Sequence, residues 1–369
     1  MRNHLVLISV LAWSVEAQAR EPSFRETDLV SDIPGRAAQT DPNLKNAWGL
    51  AANPTGPWWV ADNGTGVSTL YDQDGVAFPP PTPLVVTLEG PASPTGIVFN
   101  GGSDFVLGDH AGNSGAARFI FSTEDGFIEG WSPAVPPPVP SKAAFIVVDN
   151  STKGCAAGEV NCGSVYKGLA LASTPCGETF LYASDFRNGA VDVFDDNFDP
   201  VELPGAFRDD DIPDGFAPFG IAALHGRIFV TYAKQNDVRH DDLKGPGNGF
   251  IDEFDLWGHL IRRVASRGAL NSPWGLAFAP EGWGRYEDHL LVANFGDGRI
   301  NVYRPRWFGH FRFLDALEDE GGRPIVIDGL WAIAFGPGNQ VAGPRTTLFF
   351  TAGINGEADG LFGRITRVH

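Results

Sequence analysis

Six times along the chain a bulky residue and a small one lead into a short apolar run: AWGLA, PTGIV, YKGLA, PFGIA, PWGLA and LWAIA. Each is followed by a turn and a second run: WWVADN, FVLGDH, LYASDF, IFVTYA, LLVANF and LFFTAG. A corner rich in Gly, Asn and Asp then gives way to a third: VSTLYD, ARFIFS, VDVFDD, IDEFDL, INVYRP and LFGRIT. Runs of this length, bounded by turn residues, predict strands rather than helices. The small residues Gly49, Gly96, Gly168, Gly220, Gly275 and Ala332 recur at intervals of 47, 72, 52, 55 and 57 residues. Such a period belongs to radially repeated β-units, and six of them predict a six-bladed β-propeller in an all-β chain. PLVVTLE and GHLIRRV are the clearest outer strands. The last unit has none of its own, and FRETDLVSDI (24–33) is expected to supply it and close the ring. A β-sandwich of equal strand count has no reason to repeat the same unit six times.

Three insertions interrupt the period. Residues 132–164 hold PPPVP and two cysteines, 234–249 are charged and Gly-rich, and 307–328 are expected to form a helical turn near Leu314–Glu318. At the N-terminus, Arg2, the apolar run Leu5–Val15 and the small-x-small triplet Ala17-Gln18-Ala19 predict a cleaved export signal over residues 1–19. That leaves 20–369 as one propeller, expected outside the cytoplasm, with no run long enough to span a membrane.

Composition narrows the partners. Of 369 residues 43% are hydrophobic, enough for a large core, and the formal net charge is -18. An acidic chain repels phosphate backbones, so nucleic acid is a poor partner. Of three cysteines, Cys155 and Cys162 share one Gly-rich loop and Cys176 lies a strand away, so the expected disulfide is Cys155–Cys162. No G-x-S-x-G, H-E-x-x-H, phosphate-cradling G-x-x-x-x-G-K or C-x-x-C motif occurs.

The openings and corners, in DPNLKNAWGLA, TGPWWVADNGTGVSTLYD, SPTGIVFN, YKGLALAS and SPWGLAFAP, resemble NHL-type propellers. More closely the chain is similar to a family of exported bacterial propeller proteins, a resemblance that implies fold but no activity or catalytic residue. A looser likeness to gluconolactonase- and regucalcin-like calcium enzymes is an analogy of fold.

In such a ring the opening residues Trp48, Thr95, Lys167, Phe219, Trp274 and Trp331 share one face with the second-strand ends. Those ends carry Asp62, Asn63, Asp109, His110, Ser184, Asp185, Tyr232 and Asn294. Together they are expected to rim an axial funnel. Its aromatics would stack a sugar or an apolar partner, or else wedge the blades together. Asp62, Asp109 and Asp185 are oxygen donors of the type calcium takes, or else turn residues beside glycine. His110 and Lys167 are the candidates for moving a proton, and a bland ion pair is the competing role for Lys167. The leading expectation is a non-catalytic propeller binding a small molecule, glycan or envelope protein on the funnel face, with no certain cofactor. The alternatives are a calcium-type lactonase-like hydrolase or lyase, and a structural envelope protein.

Overall fold

The computed structural model describes residues 22–157 and 159–368, so the expected export signal lies outside the described residues. Six sheets radiate from a common axis. The first, third, fourth and fifth blades open on Ala47–Ala52, Tyr166–Ser173, Phe216–Leu224 and Pro273–Phe278. Each runs outward in sequence order through antiparallel neighbours, with four strands everywhere but the third blade, which has three. The sixth opens on Leu330–Phe335 and runs out through Leu348–Gly353 and Asp359–Arg367. There Phe24–Ser31 adds itself antiparallel to Asp359–Arg367, from Phe24 opposite Arg367 to Ser31 opposite Leu361. The expected closure by the N-terminal strand is what the chain does.

The bulky–small step at each opening has a geometric reason. The ladder between first and second strands slips there: between Ala47 and Leu50, Pro218 and Ile221, Pro273 and Leu276, and Leu330 and Ile333. A slip of this kind is a β-bulge, which bends the strand and re-aims a side chain. It turns the bulky residue toward the axis. The small residue then lies against the next blade: a Cβ on Gly275 would sit 2.6 Å from the carbonyl oxygen of Trp331, and one on Gly168 3.0 Å from that of Phe219. Hydroxyls on the second strands fasten opening-strand carbonyls of the next blade. Ser184 Oγ donates to the Phe219 carbonyl at 2.7 Å, Thr231 Oγ1 to that of Pro273 at 2.6 Å, and Thr351 Oγ1 to that of Trp48. Between blades the packing is aromatic and aliphatic, as where Trp59 stacks on Phe119 at 4.0 Å across the first and second blades.

Two elements differ from the sequence reading. In the second blade, FVLGDH is not the second strand. Val106–Gly108 pairs with Ser114–Ala116 in a separate hairpin, and Phe119–Thr123 pairs with the opening strand Pro94–Phe99. The blade then continues through Phe127–Trp131 and Phe145–Asp149, so the first insertion contains its outer strand. In the fifth blade, Arg312–Ala316 is the outer strand where a helical turn was expected near Leu314–Glu318. Pairing with Ile300–Arg304 overrides the helical preference of Leu-Asp-Ala-Leu-Glu. The Cys155–Cys162 disulfide is present and Cys176 is free and exposed.

Candidate functional site

The axis is filled on the funnel side. Trp331 lies between Trp48, stacked at 3.6 Å, and Phe295, stacked at 3.7 Å, with Phe219 5.8 Å away. Trp274 meets Trp48 and Trp331 edge-on at 6.5 and 6.1 Å, and its indole Nε1 donates to the Lys167 carbonyl at 2.8 Å. Trp48, Phe219 and Trp331 are buried and Trp274 is half-buried. Of the two roles weighed for these rings, the fold uses packing: they plug the hub. Below the plug an axial channel of about 380 Å³ runs between the six opening strands, lined by residues such as Leu50, Ile97, Leu169, Ile221, Leu276 and Ile333.

Charged groups converge on the plug. Lys167, opening the third blade, is 2% exposed, and its Nζ stands 5.2 Å from the Trp48 ring centre. The ammonium pairs with Glu124, in the corner after the second strand of the second blade, and with Asp241 Oδ1 at 3.4 Å. Asp241 comes from the charged insertion of the fourth blade. That loop also supplies His240, whose Nδ1 donates to Asp241 Oδ1 at 2.8 Å, and Lys244, whose Nζ lies 3.8 Å from the Phe295 ring centre. A chain of amides completes the floor. Asn63 Nδ2 donates to Glu124 Oε2 at 2.9 Å, and Asn46 Nδ2 donates to Asn63 Oδ1 and to Glu357 Oε2, each at 3.1 Å. Trp331 Nε1 donates to Asn46 Oδ1 at 3.0 Å, tying this network to the plug.

Electrostatics fix the protonation pattern. Burial alone would lower the Lys167 pKa, but the carboxylates of Glu124 and Asp241 outweigh it and hold the ammonium above its ordinary value. The hydrogen bond from His240, with help from Lys167, draws Asp241 down to about 2. Burial raises Asp242 and Glu357, the latter against the pull of Lys167 and Lys244. Lys167 is therefore a fixed positive charge in an acidic basin, and the ion-pair role describes it better than a base. Among the described residues, Glu124, His240 and Asp241 form the group of acids and histidines whose ligand atoms lie within 4.8 Å of one another.

The other sequence candidates fall elsewhere. Asp109 and His110 sit in the turn of the extra hairpin, where Asp109 accepts from the backbone N–H groups of Ala111 and Asn113 and from Asn113 Nδ2. The misplaced strand had put them on the rim. Asp62 is buried inside the first blade, accepting from Thr69 Oγ1 at 2.8 Å, and burial drives its pKa well up. Asp185 caps its own corner, accepting from Asn188 and the Val165 N–H. These three acids thus do turn and core chemistry and do not meet. Thr95 and Ser184 clasp adjacent blades, Tyr232 is buried with the core of the third and fourth blades, and Asn294 donates to Ala269 O and to Asp297 in its corner. Lys167 and Asn63 alone of the polar candidates join the converging cluster. Glu124, Asp241 and Glu357 were missed. Glu124 directly follows the second strand Phe119–Thr123 as Asn63 follows Trp58–Asp62, so taking ARFIFS as the second strand of its blade would have placed it at the corner equivalent to Asn63.

The molecule is thus a six-bladed β-propeller with a charged funnel floor over an aromatic plug. Two mimivirus proteins, from Acanthamoeba polyphaga mimivirus, are similar to it along most of their length. Uncharacterized protein R648 is 32% identical over 92% of this chain and 79% of its own, and uncharacterized protein L690 is 32% identical over 92% and 84%. The chain belongs to the family of these proteins. They are viral, where the sequence reading named a bacterial family. No protein-family model matches the chain. Among solved structures, the soluble aldose sugar dehydrogenase of Escherichia coli is similar in fold alone, with a TM-score of 0.53, 12% identity, and cover of 93% of this chain and 99% of that one.

Proposed function

We propose that the protein is an exported binding propeller whose funnel floor receives a small hydroxyl-rich ligand of the sugar or polyol class. The observation that carries this reading is the buried Lys167 ammonium, held by carboxylates from two other blades. A buried ion pair is a poor stability device, since apolar side chains of similar volume usually do as well or better. Placed where loops from four blades meet, it presets Glu124, Asp241 and the Asn46–Asn63 amides as fixed acceptors and donors for hydroxyl groups. The acid excess around it disfavours an anionic ligand. Cleavage after Ala19 and export are part of the proposal, supported by the Cys155–Cys162 disulfide, which suits an oxidising compartment.

The test is a thermal-shift and calorimetric screen of monosaccharides, sugar alcohols and lactones. A ligand of the folded state must raise the melting temperature by mass action. At least one compound should raise it, and the shift should vanish in Asp241→Asn and in Asn63→Ala. A panel that moves neither the wild type nor the variants would end the reading.

A second reading rests on Glu124, His240 and Asp241, an oxygen–nitrogen set that a divalent cation accepts. Such an ion would polarise a bound carbonyl as a lactonase-type reaction requires. The residues fit it only in part, because Lys167 already neutralises the same carboxylates and the ion would have to displace it. Lys167→Met should then raise metal affinity. A variant whose melting temperature ignores calcium, manganese and zinc alike removes this alternative.

A further inference from the structure

The face opposite the funnel carries a feature that the binding reading leaves unused. Loops joining third to outer strands emerge there, and in the fifth blade that loop runs between Ile300–Arg304 and Arg312–Ala316. At its tip Trp307 is 94% exposed and Phe308 91% exposed. Two adjacent large apolar side chains standing wholly in water are uncommon on a molecule with an otherwise well-formed core. The charge around them runs against the rest of the protein. In a chain of net charge -18, residues 300–314 contain Arg304, Arg306 and Arg312 and not one Asp or Glu.

Arg304, Arg306 and Arg312 are exposed, and none enters an ion pair among the described residues. The root of the loop is held firmly. Phe311 is buried and its N–H donates to the Val264 carbonyl at 2.9 Å, and Arg262 Nη1 donates to the Arg306 carbonyl, also at 2.9 Å. The tip is therefore presented outward rather than folded back. Leu260, Ile261 and Phe313 extend the apolar surface along the neighbouring outer strands. Two acids line the adjoining cavity: Glu253, engaged by Arg262 at 2.9 Å and Arg227 at 3.9 Å, and Asp288.

We propose that this loop is a peripheral anchor for an anionic lipid surface, with Trp307 and Phe308 seated at the headgroup boundary and the three free arginines on acidic headgroups. Tryptophan and phenylalanine beside arginine are the residue types that settle at that boundary. The overall negative charge does not prevent it, because screening confines each charge to within about 8 Å at physiological salt, so the local patch decides. A sugar-stacking site fits less well: residues 302–314 contain no Asn, Gln, Asp or Glu, and of the two acids in the adjoining cavity Glu253 is already engaged by Arg262 and Arg227. Docked this way, the propeller would keep its funnel pointing away from the bilayer and open to solvent.

The experiment is co-sedimentation of the full mature chain with vesicles of phosphatidylcholine mixed with phosphatidylglycerol, beside vesicles of phosphatidylcholine alone. Binding is expected to the first and not to the second, weakening as salt is added. Trp307→Ser with Phe308→Ser should abolish it, and Arg304→Gln with Arg306→Gln should weaken it roughly 30-fold. Both variants change exposed positions, and an unchanged melting temperature verifies that they fold. Three outcomes overturn the proposal: no binding to the anionic vesicles, binding that the loop variants retain, or loop-dependent binding to soluble heparin or polyglutamate with none to vesicles.

Discussion

At the scale of single residues, the funnel floor and the blade interiors hold ionisable groups in opposite ways. Lys167 is buried yet charged because Glu124 and Asp241 face it, and the two partners differ in their access to water: Glu124 is 14% exposed and Asp241 60%. Removing the lysine leaves carboxylates that can turn to solvent. Removing Glu124 leaves a buried ammonium with Asp241, at 3.4 Å and largely in water, as its remaining partner. Glu124→Gln should therefore destabilise the fold more than Lys167→Met, by about 1–3 kcal/mol in urea unfolding, since an uncompensated buried charge is the larger penalty. Equal losses would mean that the pair is not buried as described. Glu129, on Phe127–Trp131, shows the reverse case. Burial, opposed only by the Glu89 N–H at 2.7 Å, pushes its pKa up to about 8 from the ordinary 4.5. The folded state therefore holds a proton that the unfolded chain has released, and stability must fall as pH rises from about 4.5 to about 8. In Glu129→Gln that decline should shrink, with the variant the more stable protein at pH 8, a comparison that melting curves at several pH values would decide. Lys167 was legible in the sequence because repeat equivalence put it at an opening. Its partners were not, since contacts between corners of different blades leave no trace in local spacing.

At the scale of elements, the repeated bulky–small step was the readable signal, and the structure supplies its cause in the bulge that aims one residue at the axis and lays the next against a neighbouring strand. Five openings use glycine and the sixth uses Ala332. A Cβ on Gly220 would run into the Trp274 carbonyl, which is backbone and cannot swing aside. Gly220→Ala should cost about 1–3 kcal/mol through overpacking, whereas Ala332→Gly, with no clash to create, should cost about 1 kcal/mol or less. Chemical unfolding of the two variants distinguishes them, and a Gly220→Ala protein as stable as wild type would contradict the close approach of the fourth and fifth blades. The same pattern reading failed where two apolar runs competed for one role. FVLGDH has the composition of a second strand, but its partner is the nearby SGA segment, and local pairing across a short turn took it out of the blade. Arg312–Ala316 was mistaken for a helical turn for a related reason: its burial is set by the strand beside it and not by its own periodicity.

For the molecule as a whole, the ring is closed by a strand drawn from the opposite end of the chain, and this makes the first described segment a structural part of the last blade. Phe24 is buried against Trp283, with ring centres 4.8 Å apart, and Leu29 and Val30 are buried where the sixth blade meets the first. Arg36 pairs with Asp28, and Ser31 Oγ donates to the Gly360 carbonyl at 2.8 Å, so the segment is fastened along its length. Fully burying side chains of this size contributes about 1.5–3 kcal/mol each, which makes the segment worth a sizeable share of a domain's net stability. Without it, Asp359–Arg367 would present an unpaired edge to any other chain. A protein beginning at Gly35 should therefore melt at a lower temperature and associate with itself on a sizing column. Adding a peptide of residues 22–34 should restore both properties in proportion to its concentration, because it binds only the folded ring. If the shortened chain stays monomeric with an unchanged melting temperature, the closure is ornamental and the ring is held by its hub alone; if the peptide rescues it, the two ends form the latch.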